Sequence, residues 1–232
     1  MRESYSLFGK ILIIFGIIVS FFFYVFYGNI PLTAIGIGAI IIGIAAIMLP
    51  EEPIPPATIR SLIESSALTI EAILEELKIE SKAIYLPPNE NYASVILPIK
   101  RIEDFSFEEI DKRNVFLLVK NVPAIKFYPP GCTIVKNILS YDFSLNEALE
   151  KVLVDITEFC SKVMAIETAE NIIVEITKPN MKEKLPYFSK CLGSLPASLV
   201  AITLATMKKI PIEILKEEVQ KDKLYIYLRS LY

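Results

Sequence analysis

The chain has 232 residues, 24 basic and 27 acidic side chains, a formal charge of −3 and no histidine. The missing histidine removes the commonest general base and the commonest transition-metal ligand, and the acidic balance argues against a nucleic-acid partner, which needs a basic face to neutralise phosphates. Cys132, Cys160 and Cys191 are far apart and odd in number, form no metal-type pair, and suit a reducing compartment better than a disulfide framework.

In chain order, residues 1–10 form a short tail containing Arg2 and Lys10, and the forty residues from Ile11 to Pro50 contain no charged side chain. Gly28-Asn29, with Pro31 just beyond, divides that stretch into apolar runs over 11–27 and 30–49. At about 1.5 Å per residue against a hydrocarbon core of about 30 Å, each run is long enough to span, and neither carries the Asp, Lys or Arg that opposes insertion. The first run has no small-x-small cleavage site and is followed at once by a second, so a transmembrane hairpin fits better than a signal peptide. Arg2 and Lys10 flank the first run and the turn is uncharged, which predicts a multi-pass protein of the cell membrane with both termini in the cytoplasm.

Small residues within the hairpin recur at intervals of four, Gly16 with Ser20, Ala34 with Gly38 and Ala39 with Gly43. That spacing lets helix backbones approach where lipid offers no hydrophobic drive to associate, either within the hairpin or between two copies. No ionisable residue lies in either run, which argues against transport.

Residues 50–57 contain four prolines and read as a semi-rigid spacer ahead of a cytoplasmic α+β domain over 58–232. Excluding Arg2, Glu3 and Lys10, this part of the chain holds 22 basic and 26 acidic residues. Its first element, Thr58 to Leu77, is an amphipathic helix with Ile59, Leu62, Ile63, Ala67, Ile70, Ile73, Leu74 and Leu77 at helical spacing and Glu64, Glu71, Glu75 and Glu76 on its surface. Strands are predicted over Lys82–Leu86 and Tyr92–Ile99, joined across the turn-rich interval 87–91. Residues 100–114 read as a polar loop with a helical turn near Phe107–Asp111, and Val115–Val119 and Ile125–Tyr128 as further strands. Pro129-Pro130-Gly131-Cys132-Thr133 reads as a structural turn, because no basic residue stands beside Cys132 to activate its thiol.

Ser144 with Glu147 forms a capping box for a helix carrying Leu145, Ala148, Leu149, Val152, Leu153, Ile156 and Phe159. Strands over Val163–Glu167 and Asn171–Thr177 follow. Ser194 and Leu195 then open a helix through Leu199, Ile202 and Met207, with Pro196 tolerated in its first turn, before strands over Ile212–Val219 and Leu224–Leu228. Laid without gaps, Ser144 falls on Ser194, Leu149 on Leu199 and Val152 on Ile202, so the domain reads as repeated αββ units forming an antiparallel sheet with helices packed on it.

One chemical candidate stands out. Lys190, Cys191 and Ser194 lie at a helix start, where a helix dipole and a lysine can stabilise a thiolate or hold an anion, and the loop from Lys178 to Lys190 is locally basic. No base or carboxylate partner can be named for catalysis, and no cofactor or metal is expected. The hairpin ending near Leu49, the proline joint, the helix from Thr58, the strand Tyr92 to Pro98, the Phe127-Tyr128-Pro129-Pro130-Gly131 turn and the Ser194 to Pro211 passage resemble a group of archaeal membrane proteins of unknown function. The resemblance covers nearly the whole chain and implies an architecture, not an activity. The expected partners are the lipid bilayer and a protein, another chain or a second copy, which makes the chain a membrane-anchored, non-enzymatic interaction or scaffold protein; the alternative is a membrane-tethered small-ligand or anion sensor, or a thiol enzyme.

Overall fold

The computed structural model describes residues 2–48, 54–88, 92–100, 114–119, 121–138, 143–168, 171–181 and 184–231. Residues 101–113 of the predicted loop with its helical turn, the first half of the proline spacer (50–53) and the tips of two predicted turns lie outside the described residues. The chain divides into two compact units, Met1–Ile54 and Pro55–Tyr232.

The first unit is a pair of adjacent helices. Helix α1 (Arg2–Phe22) runs on through a π-helical turn (Phe23–Tyr27), and Gly28, at φ +55°, reverses the chain into α2 (Ile30–Met48). The reversal is fixed locally, because Asn29 Oδ1 accepts from the Leu32 N–H at 3.2 Å and so caps the new helix. Both helices are long and apolar enough to cross a membrane.

The second unit is α+β. Its helices are α3 (Pro56–Leu77), α4 (Cys132–Ile138), α5 (Leu145–Glu150, continued by a π-helical segment Lys151–Ile156), α6 (Pro186–Leu192) and α7 (Leu195–Lys208). Its strands are β1 (Ile84–Leu86), β2 (Ser94–Pro98), β3 (Phe116–Val119), β4 (Val122–Phe127), β5 (Lys162–Glu167), β6 (Asn171–Thr177), β7 (Ile212–Gln220) and β8 (Lys223–Ser230). They form one eight-stranded sheet in the order β3-β4-β2-β1-β7-β8-β6-β5. Every neighbouring pair is antiparallel, and the two halves join through the short β1–β7 register Ile84↔Glu213 and Tyr85↔Ile212.

The alternation of side chains decides where the core lies. Ile172, Val174 and Ile176 on β6 and Leu224, Ile226 and Leu228 on β8 are buried on the face that receives the helices, and their neighbours in sequence face the other way. Helix α7 lies deepest, with every residue from Leu195 to Ala205 buried. A smaller cluster of Ile84, Leu86, Ile96, Val119 and Ala124 sits apart from this core, on alternate residues of the β1–β4 half. Tyr85 is fully buried in the main core because its hydroxyl donates to the Leu192 carbonyl at 2.6 Å.

Four expectations change. Cys132 begins α4 instead of lying in a plain turn, and the end of the predicted basic loop folds as α6. Glu64 and Glu71 are buried, not on the surface. Burial of Glu71 is compensated, since its Oε1 accepts from the Tyr187 N–H at 3.0 Å and its Oε2 from the Phe188 N–H at 2.6 Å, capping α6 from another helix. The helix, strand, strand order is also interrupted, by the β3–β4 hairpin and by α4 and α6.

Candidate functional site

The junction of α6 and α7 gathers the polar groups around the predicted site residues. Helix α6 ends at Gly193, whose φ of +78° favours glycine, and a Cβ there would sit 2.7 Å from Glu217 Oε1. Ser194 caps α7 and accepts from the Ala197 N–H at 3.4 Å. Glu217 completes the cap: its Oε1 accepts from the Ser194 N–H at 2.7 Å and its Oε2 from the Ser194 hydroxyl at 2.6 Å.

A β-bulge explains why a strand glutamate points there. Alternation puts Ile212 and Ile214 on the core face, but the β7–β8 register shifts between Ile214 and Lys216, which sets Glu217 opposite Ile226. Ile226 belongs to the core, so the extra residue turns Glu217 inward to the helix start. Lys82 Nζ donates to the carbonyls of Ile214 and Leu215 at the bulge. Burial pushes the Glu217 carboxyl above its ordinary range, and the two Ser194 hydrogen bonds and the charge of Lys82 offset part of that rise.

The positive end of α7 is thus occupied by a carboxylate of the same chain. Lys190, Cys191 and Ser194 do not converge on a common space. Lys190 Nζ pairs with Glu80 at 2.7 Å, both side chains about half exposed or more. Cys191 is buried in the last turn of α6, the negative end of that helix, and its thiol lies 3.1 Å from the Ile79 carbonyl. Burial pushes that thiol up to about 11, outweighing the Lys190 charge. Among the described residues, no group of three or more His, Cys, Asp or Glu side chains is placed to hold a metal ion.

In the hairpin, the close approach uses a different spacing from the one read in sequence. A Cβ on Gly16 would sit 2.6 Å from Gly36 O, and one on Gly9 would sit 2.7 Å from Gly43 O. Gly9 with Gly16 and Gly36 with Gly43 are each seven residues apart, so the antiparallel helices meet twice along one seam. Ser20 supports the contact by donating to Thr33 O at 3.1 Å. Ala39 is half-buried, Ala34 is exposed, and a Cβ on Gly38 meets nothing within 4 Å. Gly16, Ser20 and Gly43 therefore lie in the seam, Gly9 and Gly36 join them, and Ala34 and Gly38 lie outside it.

Helix α3 carries the most unusual surface. Its charged residues Arg60, Glu64 and Glu71 are buried, and Arg60 Nη1 donates to Glu158 O at 3.0 Å. Its exposed residues from Ala57 to Ile73 are Ala57, Thr58, Ser61, Leu62, Ser65, Ser66, Leu68, Thr69, Ala72 and Ile73, none of them charged. At 100° per residue these cover half the circumference of the helix. Sequence periodicity alone could not find this face, because two of the four glutamates read as its wet side, Glu64 and Glu71, are buried; Glu75 and Glu76, one turn further on, are exposed and end the uncharged face. No family model, curated protein or solved structure matches this chain, so the resemblance drawn from sequence rests on architecture alone.

Proposed function

We propose that this protein is a membrane-anchored, non-enzymatic interaction domain that pairs with a second copy of itself through the outward face of α3 between Ala57 and Ile73, ahead of the exposed Glu75 and Glu76. The observation that carries the reading is the absence of charge from every exposed position between Ala57 and Ile73 while Arg60, Glu64 and Glu71 point inward. A two-fold interface brings a surface patch against its own copy, so a charged face would repel itself and an uncharged one does not. Ala57, Ser61, Ser65 and Thr69 recur every four residues and let two backbones approach, while Leu62, Leu68 and Ile73 supply apolar area beside them. Two hydroxyls on this face bond back to their own helix, Ser66 Oγ to Ile63 O at 2.8 Å and Thr69 Oγ1 to Ser65 O at 3.5 Å, which lowers the cost of drying it. A lipid surface suits it less, because it offers neither basic residues for headgroups nor aromatic rings for the interface.

The test is the mass of the full-length protein in mild detergent. The native chain should be a dimer, and Leu62→Glu with Ile73→Glu, both at exposed positions, should give a monomer with an unchanged thermal melt. A monomeric native chain, or a double variant that stays dimeric, overturns the reading.

The anchor in this proposal is the hairpin, crossing the cell membrane twice with both termini in the cytoplasm. Support comes from its two uncharged runs, from Arg2 and Lys10 beside the first, and from the uncharged turn between them. Cysteine in place of Lys221 should resist an impermeant maleimide in intact cells and react after lysis, against a low background because Cys132, Cys160 and Cys191 are buried. Reaction before lysis reverses the topology. We read α5–β5–β6 and α7–β7–β8 as two copies of one αββ unit, on the gapless match of Ser144-Leu145 with Ser194-Leu195 and on the helix-then-hairpin order of each.

A further inference from the structure

The π-helical continuation of α5 borders a cavity of about 350 Å³ lined by Ile134, Asn137, Ile138, Phe143, Lys151 and Ile156. The volume lies within the ~300–1,000 Å³ usual for small-molecule sites. Lys151 and Ile156 are the first and last residues of the π-helical segment. Such wide turns cost helix geometry and are frequent at functional sites, which gives a sign independent of the cavity itself. The segment is stabilised at its end by Thr157, whose buried hydroxyl donates to Val152 O at 2.7 Å.

We propose that this cavity binds a single acyl chain carrying an acidic head. Its lining is mostly apolar, from Ile134, Ile138, Phe143 and Ile156, with one amide from Asn137 and one ammonium from Lys151. This is the pattern of a site that dries an aliphatic body and orients it by a few polar contacts. The Lys151 side chain is half exposed and meets Asp155 Oδ2 at 2.9 Å, so its head stands at the rim with one donor engaged and two left for a carboxylate or phosphate. Neither Cys191 nor the outward half of α3 belongs to this cavity, so the proposal stands or falls apart from self-association.

The chemistry is shared by a free fatty acid and by the chain of an anionic lipid, and two probes separate them. The full-length protein in lipid nanodiscs is titrated with octanoate and with a short-chain phosphatidate, with octanol as the uncharged control. Nanodiscs are chosen because detergent monomers would compete for an apolar site. Saturable binding of one acid per chain is expected, and the tighter probe names the source. Lys151→Gln should weaken that acid about tenfold, equivalent to ~1.4 kcal/mol, and leave octanol unchanged. Ile134→Trp, which fills the cavity, should abolish both. The proposal is overturned if neither acid binds saturably, or if Lys151→Gln leaves acid binding unchanged; since Lys151 lies at the surface, that variant is informative even where the tryptophan variant misfolds.

Discussion

The hairpin helices and the segment Pro186–Lys208 share a composition apolar and long enough to cross a membrane, but the fold gives them opposite surroundings. Of the spans Phe8–Tyr27 and Ile30–Ile47, 11% is buried, against 89% of Pro186–Lys208. Backbone punctuation separates them. Helix α2 continues for 19 residues, about 28 Å at 1.5 Å each, whereas Gly193 and Ser194 split the later segment into helices of 7 and 14 residues, about 10 and 21 Å. Neither fragment reaches across a hydrocarbon core of about 30 Å. Apolar composition therefore sets the demand for cover, and unbroken length decides which helices are long enough to find it in a bilayer and which are packed against a sheet.

One acidic residue placed in each region separates the two most clearly. Ala201 is fully buried in α7, so Ala201→Asp leaves a carboxylate with no partner in the core and should cost about 4 kcal/mol, a large share of the ~5–15 kcal/mol that keeps a typical domain folded, and lower the domain's thermal melt sharply. Ile37 is 49% exposed on α2, so Ile37→Asp should leave the domain's thermal melt intact and weaken insertion of α2 by about 2.5–3.5 kcal/mol, read as a larger fraction extracted from membranes at alkaline pH. If both variants fail in the same assay, the two regions are not solvated differently. A smaller effect separates two glycines of α2. A Cβ on Gly36 would lie 2.7 Å from the Ser20 backbone nitrogen, which cannot yield as a side-chain tip can. Gly36→Leu should then spread the helices at about 1–3 kcal/mol and abolish cross-linking between Ser20→Cys and Thr33→Cys. Gly38→Leu, built into open space, should preserve it.

Much of this contrast was legible in the sequence where a local rule acts alone. The uncharged runs mark the hairpin, the alternation of Ile172, Val174 and Ile176 marks β6, and Ser144 with Glu147 marks a capping box whose carboxylate does accept from the Ser144 N–H, at 2.8 Å. What escaped depends on distant partners. Helix α6 has seven residues, too few for a periodic signal, and its start is capped by Glu71, 116 residues away. The order placing β1 beside β7 is set by packing and has no local signature. Gly36 and Gly38 are both small and differ only in which faces α1, so spacing within one helix could not choose between them. Glu217 was missed because alternation holds only until the bulge at Ile214 and Lys216 reverses it.

The smallest expected effect lies at the two helix starts. Helix α2 begins at an uncharged cap, Asn29, and α7 at an ionisable one, Glu217. Because burial raises the Glu217 carboxyl above its ordinary value of 4.5, the folded chain holds that proton more tightly than the unfolded chain does. Its favourable contribution is therefore fully present below about pH 4.5 and is lost as pH rises through the raised value, at a slope no steeper than about 1.4 kcal/mol per pH unit. Glu217→Gln keeps an oxygen for the Ser194 N–H but cannot ionise. Measured by denaturant unfolding from pH 4 to 8, native stability should decline relative to the glutamine variant from about pH 4.5 upward, then run parallel once Glu217 is charged. Curves parallel throughout would mean that the carboxyl titrates as it does in water, and that the positive end of α7 compensates its burial fully.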